Sequence, residues 1–322
     1  MKWRTEVEAS PLKRKIDYGT KIFTVGSCFA QNIAERLSRA KLSVVQSPLG
    51  ILFNPASIVK ALTDFSLQKQ ACEARLVCRD FGWVTLDAHS TLAAPTKEGI
   101  VEAYNRAITE GHKALSSAEC VVITLGTAWV YRHKATGEVV ANCHKVAQSE
   151  FERYRLSVEQ IVDLSKPLFE GILADKQVIF TISPIRHISD GAADNSLSKA
   201  TLRLAVATLC EKFANAEYFP AYEIVIDDLR DYRFYADDLV HPSTQAVEYI
   251  WQKFIDAALS SRAKQLLVSV EKIVAAAAHR ATNPQSEEYR AFCRKSLETA
   301  KSISEVDFSE ECAFFEQFCH KS

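Results

Sequence analysis

The sequence predicts an α/β fold on a parallel sheet, followed by a helical extension. Three observations support this. Short apolar, β-branched runs recur at Lys21 to Val25, Leu42 to Gln46, Cys120 to Leu125 and Val178 to Ile182. Between them lie segments whose apolar residues repeat with the period of a helix. Each run stops at a Gly or a Ser. Strands apolar on both sides belong to sheets covered on both faces, and their alternation with helices is the pattern of parallel pairing.

Lys21 to Val25 reads as the first strand, and Gly26-Ser27 breaks it. From Cys28 the period changes. Phe29, Ile33 and Leu37 fall at i, i+4 and i+8 beside Ala30 and Ala34, the buried stripe of a helix. Leu42 to Gln46 is the second strand, closing in Ser47-Pro48-Leu49-Gly50, and Ile58 to Phe65 is helical. Leu67 to Thr96 is mixed, holds Phe81-Gly82-Trp83 and reads as an insertion. Ile100 to Leu115 is a helix, and Cys120 to Leu125 a strand closed by Gly126. Tyr131 to His133 and Glu138 to Asn142 flank Ala135-Thr136-Gly137, a hairpin pattern. Val158 to Leu173 is helical, with Pro167 placed to kink it. Val178 to Ile182 is a strand that runs into Ser183-Pro184. Ser198 to Phe213 reads as a helix and Ala221 to Val225 as a last short strand. Ser243 to Ser260 is a helix with Val247, Ile250, Trp251, Phe254, Ile255 and Ala258 on one face. From Arg262 the pattern is helical and polar, broken at Asn283-Pro284. The expected division is an α/β domain over 1–262 and a helical extension over 263–322.

Composition narrows the function. Hydrophobic residues make up 48% of the 322 residues, which excludes disorder as the main state. Lys plus Arg is 39 against 40 for Asp plus Glu. A chain so near neutrality has no strong field for nucleic acid or an acidic membrane. No apolar run approaches the ~20 residues of a membrane helix. Met1 to Tyr18 is charged and lacks the apolar centre of a secretory signal, and the nine cysteines are an odd count. Both point to reduced thiols and a cytoplasmic protein. No Cys-x-x-Cys occurs, and the histidines have no zinc-site spacing, so no metal or other cofactor is expected.

In parallel sheets the working residues gather beyond the carboxyl ends of the strands. Ser27 lies there, between a strand and a helix N-terminus. Free backbone N–H groups and the helix dipole at such a place favour an oxyanion. A serine there is equally a helix cap. Cys28 follows it, either as a second nucleophile with a lowered pKa or packed beneath the turn. Asp238-Leu239-Val240-His241-Pro242 precedes the last helix of the α/β part. An aspartate three residues before a histidine reaches one ring nitrogen and leaves the other free to accept a proton. Pro242 restrains the backbone of His241.

The order Ser27, Asp238, His241 along an α/β core resembles the SGNH (GDSL-like) hydrolase and esterase superfamily. Gly26-Ser27-Cys28-Phe29-Ala30 spells the name of one branch, the GSCFA domain proteins. Phe53-Asn54-Pro55, Thr124 to Trp129, Asn142 to Lys145, Ser183 to His187, Tyr218 to Glu223 and Tyr232 to Tyr235 are similar to that branch as well. The resemblance covers about residues 3 to 262 and includes the tail motif Ser286-Glu287-Glu288-Tyr289.

The resemblance implies a three-layer, flavodoxin-like SGNH-type sheet. It implies Ser27 as nucleophile, His241 as base and then acid, and Asp238 as its orienter. The implied oxyanion donors are the Ser27 N–H, Gly50 after the second strand, and an asparagine after the third. There the chain departs, because Gly126-Thr127-Ala128-Trp129 contains no asparagine. Thr127, Asn54 and Asn142 are the candidate substitutes, and the sequence does not choose among them. Loss of one oxyanion donor costs about 10²–10³ in rate. His89, Trp129, His144, Arg186 and His187 resemble motif positions and are candidate substrate-binding residues. Trp83, Tyr131 and Tyr235 join Trp129 as rings that stack on a sugar or fill the core. The expected activity is a serine esterase or acyltransferase on a small acyl ester, such as O-acetyl on a carbohydrate, through an acyl-enzyme. The competing expectation is a binding module that keeps the fold without turnover. The missing asparagine favours it, and the intact Ser27, Asp238 and His241 oppose it.

Overall fold

A computed structural model of the chain describes residues 4–319. The first residues of the expected N-terminal stretch and the last of the expected tail lie outside them. The first strand β1 (Ile22–Gly26) leads into α1 (Cys28–Arg39), β2 (Val44–Gln46) and α2 (Pro55–Leu67). An insertion supplies β3 (Leu76–Arg79), β4 (Gly82–Thr85) and β5 (Ala93–Ala94). Then come α3 (Lys97–Ser117), β6 (Cys120–Leu125), β7 (Trp129–His133), β8 (Phe151–Arg155), α4 (Val158–Glu170) and β9 (Gln177–Ile182). The chain continues through α5 (Ala192–Lys212), β10 (Ala216–Tyr218), α6 (Ala221–Glu223) and α7 (Thr244–Ala258). It ends in α8 (Ser261–Ala278), α9 (Glu287–Ser302) and α10 (Ser309–Cys319).

Five strands form one sheet in the order β2-β1-β6-β9-β10, and every pair in it is parallel. The fold is therefore α/β with a central parallel sheet. All carboxyl ends share one edge, and the order reverses between β1 and β6, the place where such sheets bind ligands. Alternate residues serve opposite faces. Ile22, Cys120, Val122 and Ile179 pack with α1 and α7 through Phe29, Ile33, Leu37, Trp251 and Phe254. Phe23, Val25, Val121, Ile123 and Phe180 pack with α2 to α5 through Leu62, Phe65, Ile108, Ile161 and Leu209. The α1 stripe is buried throughout, and truncating Phe29 to Ala would cost about 3–5 kcal/mol.

Three expectations need correction. Ala221 to Val225 is helical, passing through α6 into a π-turn over Ile224–Asp228. Its buried residues Ala221, Ile224, Val225 and Leu229 repeat at helical spacing, and the edge strand is instead Ala216–Tyr218. The expected hairpin partner 138–142 leaves β7 after the bridge Arg132–Val139, drawn off by Ala141 N–H bonding Leu86 O at 2.7 Å. The ladder partner of β7 is β8. Helix α5 begins at Ala192, ahead of the expected Ser198; its first turns carry no buried apolar stripe by which periodicity could have found them.

The insertion is a small antiparallel sheet, β3-β4-β5. It is held by Arg75, 1% exposed, which pairs with Asp87 and donates to Val139 O at 2.9 Å. The Asn283-Pro284 break falls between α8 and α9. The tail is not separate packing, since Ala263, Leu267, Val270 and Ile273 of α8 and Phe315 of α10 join the α1–α7 core.

Candidate active site

Gly26 ends β1 at φ +143°, and a Cβ there would stand 2.1 Å from Thr124 O. The strand ends approach too closely for any side chain, so glycine is required. The next residue, Ser27, caps α1: its Oγ accepts from Phe29 N–H at 3.3 Å. The hydroxyl proton has no acceptor among the described residues. Ser27 is 2% exposed.

Asp238 and His241 sit in the turn before α7, with Leu239 at φ +57°. Asp238 Oδ1 accepts from the backbone N–H groups of Val240 and His241, both at 2.9 Å. Asp238 Oδ2 lies 2.6 Å from His241 Nδ1. Those backbone bonds first, then the imidazole, pull the carboxyl down to about 2. His241 Nε2 has no partner among the described residues. Arg186 N–H donates to Val240 O at 3.2 Å, so the end of β9 is stitched to this turn.

A cavity of about 440 Å³ opens at the carboxyl edge of the sheet. Of the candidates, Asn54, Thr127, Trp129, Asn142, Arg186, His187 and His241 line it. Cys28, Phe53, Tyr131 and Arg153 line it too. Ser27 and Asp238 are not among the lining residues; Asp238, half exposed, is bonded to the lining His241. Among the described residues Ser27 is hydrogen-bonded to neither His241 nor His187.

The expected oxyanion donors are partly engaged. Ser27 N–H donates to Thr124 O at 3.1 Å, Gly50 N–H to Ser47 O at 3.0 Å, and Thr127 N–H to Phe53 O at 3.0 Å. Thr127 Oγ1 shares a hydrogen with Ser198 Oγ at 3.1 Å. Asn142 Oδ1 accepts from His144 N–H at 2.8 Å. Asn54 caps α2 through Oδ1, accepting from Ser57 N–H at 2.8 Å. That leaves the Asn54 amide N–H₂ with no partner among the described residues.

Two expected substrate residues stand elsewhere. His89 lies off the cavity against Gly50, where a Cβ would meet it at 2.7 Å. His144 is 4% exposed and its Nε2 lies 2.8 Å from Thr85 O, so it braces the insertion. Trp129 does line the cavity, but the Arg153 guanidinium lies 4.1 Å over its ring, held there by Asp190. Arg186 lies 5.8 Å over the Tyr235 ring and makes no ion pair among the described residues. Trp83 lies in β4, away from the cavity. The Cys28 thiol is half-buried, and burial pushes it up, against the lowered value its position suggests.

Lys199 is the residue that sequence reasoning missed. It is 1% exposed, and its Nζ donates to Gly126 O and Ser183 O, both at 2.7 Å. It ties the ends of β6 and β9 together. The signal was present: Lys199 falls on the buried stripe of Leu202, Val206 and Leu209. Burial first, then Lys199 and His241, lower His187 to about 4, so its ring is neutral.

Residues 21–254 match the GSCFA family, and residues 270–321 match the C-terminal domain of GSCFA domain proteins. The chain belongs to the GSCFA family. In this GSCFA protein the motif Gly26 to Ala30 is the β1–α1 turn, and the C-terminal match spans the end of α8 with α9 and α10. A search of the curated proteins finds no match. Among the described residues no helix is long and apolar enough to cross a membrane.

Proposed function

We propose that this GSCFA protein is a serine esterase or acyltransferase of SGNH type, acting on a small acyl ester. The observation that favours it most is the 2.6 Å bond from Asp238 to His241 Nδ1, with Nε2 free on a cavity beside the Ser27 turn. The carboxylate fixes the tautomer, so Nε2 is the basic nitrogen. The strand order, with its reversal next to Ser27, is also that of flavodoxin-type doubly wound sheets. In this reading Ser27 rotates off Phe29 N–H and attacks the acyl carbon while His241 takes its proton. His241 then protonates the leaving oxygen, and water or a sugar hydroxyl resolves the acyl-enzyme. Arg153 lies over Trp129 at 4.1 Å and Tyr131 at 5.9 Å, so this wall presents a guanidinium donor for a substrate oxygen and not a bare aromatic face.

A binding module is the second reading. The 2% exposure of Ser27 and its engaged N–H favour it. Fluorophosphonate labelling discriminates. The esterase reading expects labelling at Ser27, lost in Ser27→Ala, and turnover of p-nitrophenyl acetate. A folded protein that neither labels nor turns over short-chain esters, with or without sugar acceptors, leaves the binding module.

A further inference from the structure

We infer that His187 is a catalytic residue whose Nε2–H donates to the substrate oxygen that becomes negative when Ser27 attacks. The inference rests on the esterase reading above and assigns His187 a role distinct from that of His241.

Gly126, at the end of β6, adjoins both Ser27 and His187. A Cβ on this residue would lie 2.9 Å from Phe53 O, 3.3 Å from Ser27 Cβ and 3.5 Å from His187 Nε2. Gly126 therefore marks the place where the serine and the imidazole both come near, and Phe53 O closes that place to a side chain. In this proposal the oxygen of an acyl group bonded to Ser27 Oγ lies on the imidazole side of that place, away from Phe53 O. Several backbone donors around it are already engaged. The N–H groups of Ser27, Gly50, Gly126 and Thr127 already bond carbonyls at 2.8–3.1 Å. Side chains offer further donors. Neither ring nitrogen of His187 has a partner among the described residues, and the ring meets Phe53 edge-on at 6.0 Å between centroids. The Asn54 amide on the same wall offers a second donor.

The two histidines differ in what holds them. His241 has a carboxylate on Nδ1 and is built to accept a proton. His187 has no carboxylate, and the buried Lys199 ammonium stands behind it, bonded to the carbonyls of Gly126 and Ser183. Its neutral state follows first from burial and then from Lys199. A neutral imidazole donates a hydrogen bond to a developing oxyanion without losing its proton.

The step balances without His187 changing state. Ser27 Oγ bonds the acyl carbon, and the carbonyl pair moves onto oxygen. The serine proton goes to His241 Nε2, while the His187 N–H lengthens toward the oxyanion and stays intact. When the carbonyl re-forms, the bond to the leaving oxygen breaks and His241 returns the proton to it.

The test compares His187→Leu, which removes the donor, with His187→Asn, which keeps a shorter one. With p-nitrophenyl acetate, His187→Leu is expected to lower kcat about 10²–10³-fold with KM little changed. His187→Asn should recover part of the loss. Circular dichroism establishes that each variant is folded. Ring-nitrogen NMR of the wild type gives a second measurement should His187→Leu fail to fold. In the phosphonate adduct of Ser27, the His187 Nε2–H should persist at neutral pH and move downfield. Wild-type kcat in folded His187→Leu, or an adduct without that proton, overturns the inference while the esterase reading stands. A wild type that neither turns over ester nor labels at Ser27 overturns both.

Discussion

Replacing Lys199 by Met removes an ammonium enclosed at 1% exposure between two strand-end carbonyls. The effect has two parts. One is independent of pH: Gly126 O and Ser183 O lose their donor, at about 1–3 kcal/mol each for a buried group left unpaired. The other depends on pH. Burial lowers Lys199 from 10.5 to about 7 in the folded chain, and no carboxylate pairs with it among the described residues. Between those values the unfolded chain holds a proton that the folded chain has released. Wild-type stability therefore rises with pH through that window, by about 1.4 kcal/mol per unit and about 5 kcal/mol in all. Lys199→Met has no such group and loses the slope. Urea unfolding of both proteins, from about pH 7.5 to about 9.5, measures the difference and cancels other titrations. The gap should widen by roughly 3 kcal/mol across those two units. A gap that stays constant would refute the reasoning. It would mean that the two carbonyls solvate the ammonium as well as water does.

Further outcomes are expected at the site. Gly26→Ala should destabilise the fold by more than ~3 kcal/mol in urea unfolding, since its Cβ collides with Thr124 O at positive φ. Asp238→Asn should lower ester turnover by up to ~10⁴, because an amide facing Nδ1 fixes the wrong tautomer of His241, while the thermal midpoint barely moves. The Asp238 carboxylate should titrate near 2 by carbon-13 NMR; its stabilising contribution is complete above about pH 4 and is lost as pH falls through that midpoint. Cys28→Ala should keep most ester turnover where Ser27→Ala abolishes it, since burial raises the thiol and leaves it protonated at neutral pH.

Four of the five sheet strands, the coverage of the sheet on both faces and the short-range pairings were legible in the sequence. Apolar runs such as Cys120–Leu125 can only be buried, and the stripe of Phe29, Ile33 and Leu37 can only be one helix face. The Asp238–His241 contact was legible because three residues span one turn. Short-range geometry of this kind survives any tertiary arrangement. Register-free segments were not legible. Ala221–Val225 has a strand's composition and a helix's spacing, and packing of Ala221, Ile224 and Val225 decided for the helix. The partner of β7 depended on Leu86, a residue far along the chain that captures Ala141. Likewise, only the tertiary structure placed His187 beside Ser27 and left His144 braced against Thr85. The two histidines come from similar motifs, and no local pattern separates them. What separates them is the approach of β1 to β6 at Gly26 and Gly126, which brings loops from distant strands to a single point. Lys199 completes that arrangement from a helix with no motif, because a buried ammonium takes its hydrogen bonds from whichever strand ends surround it.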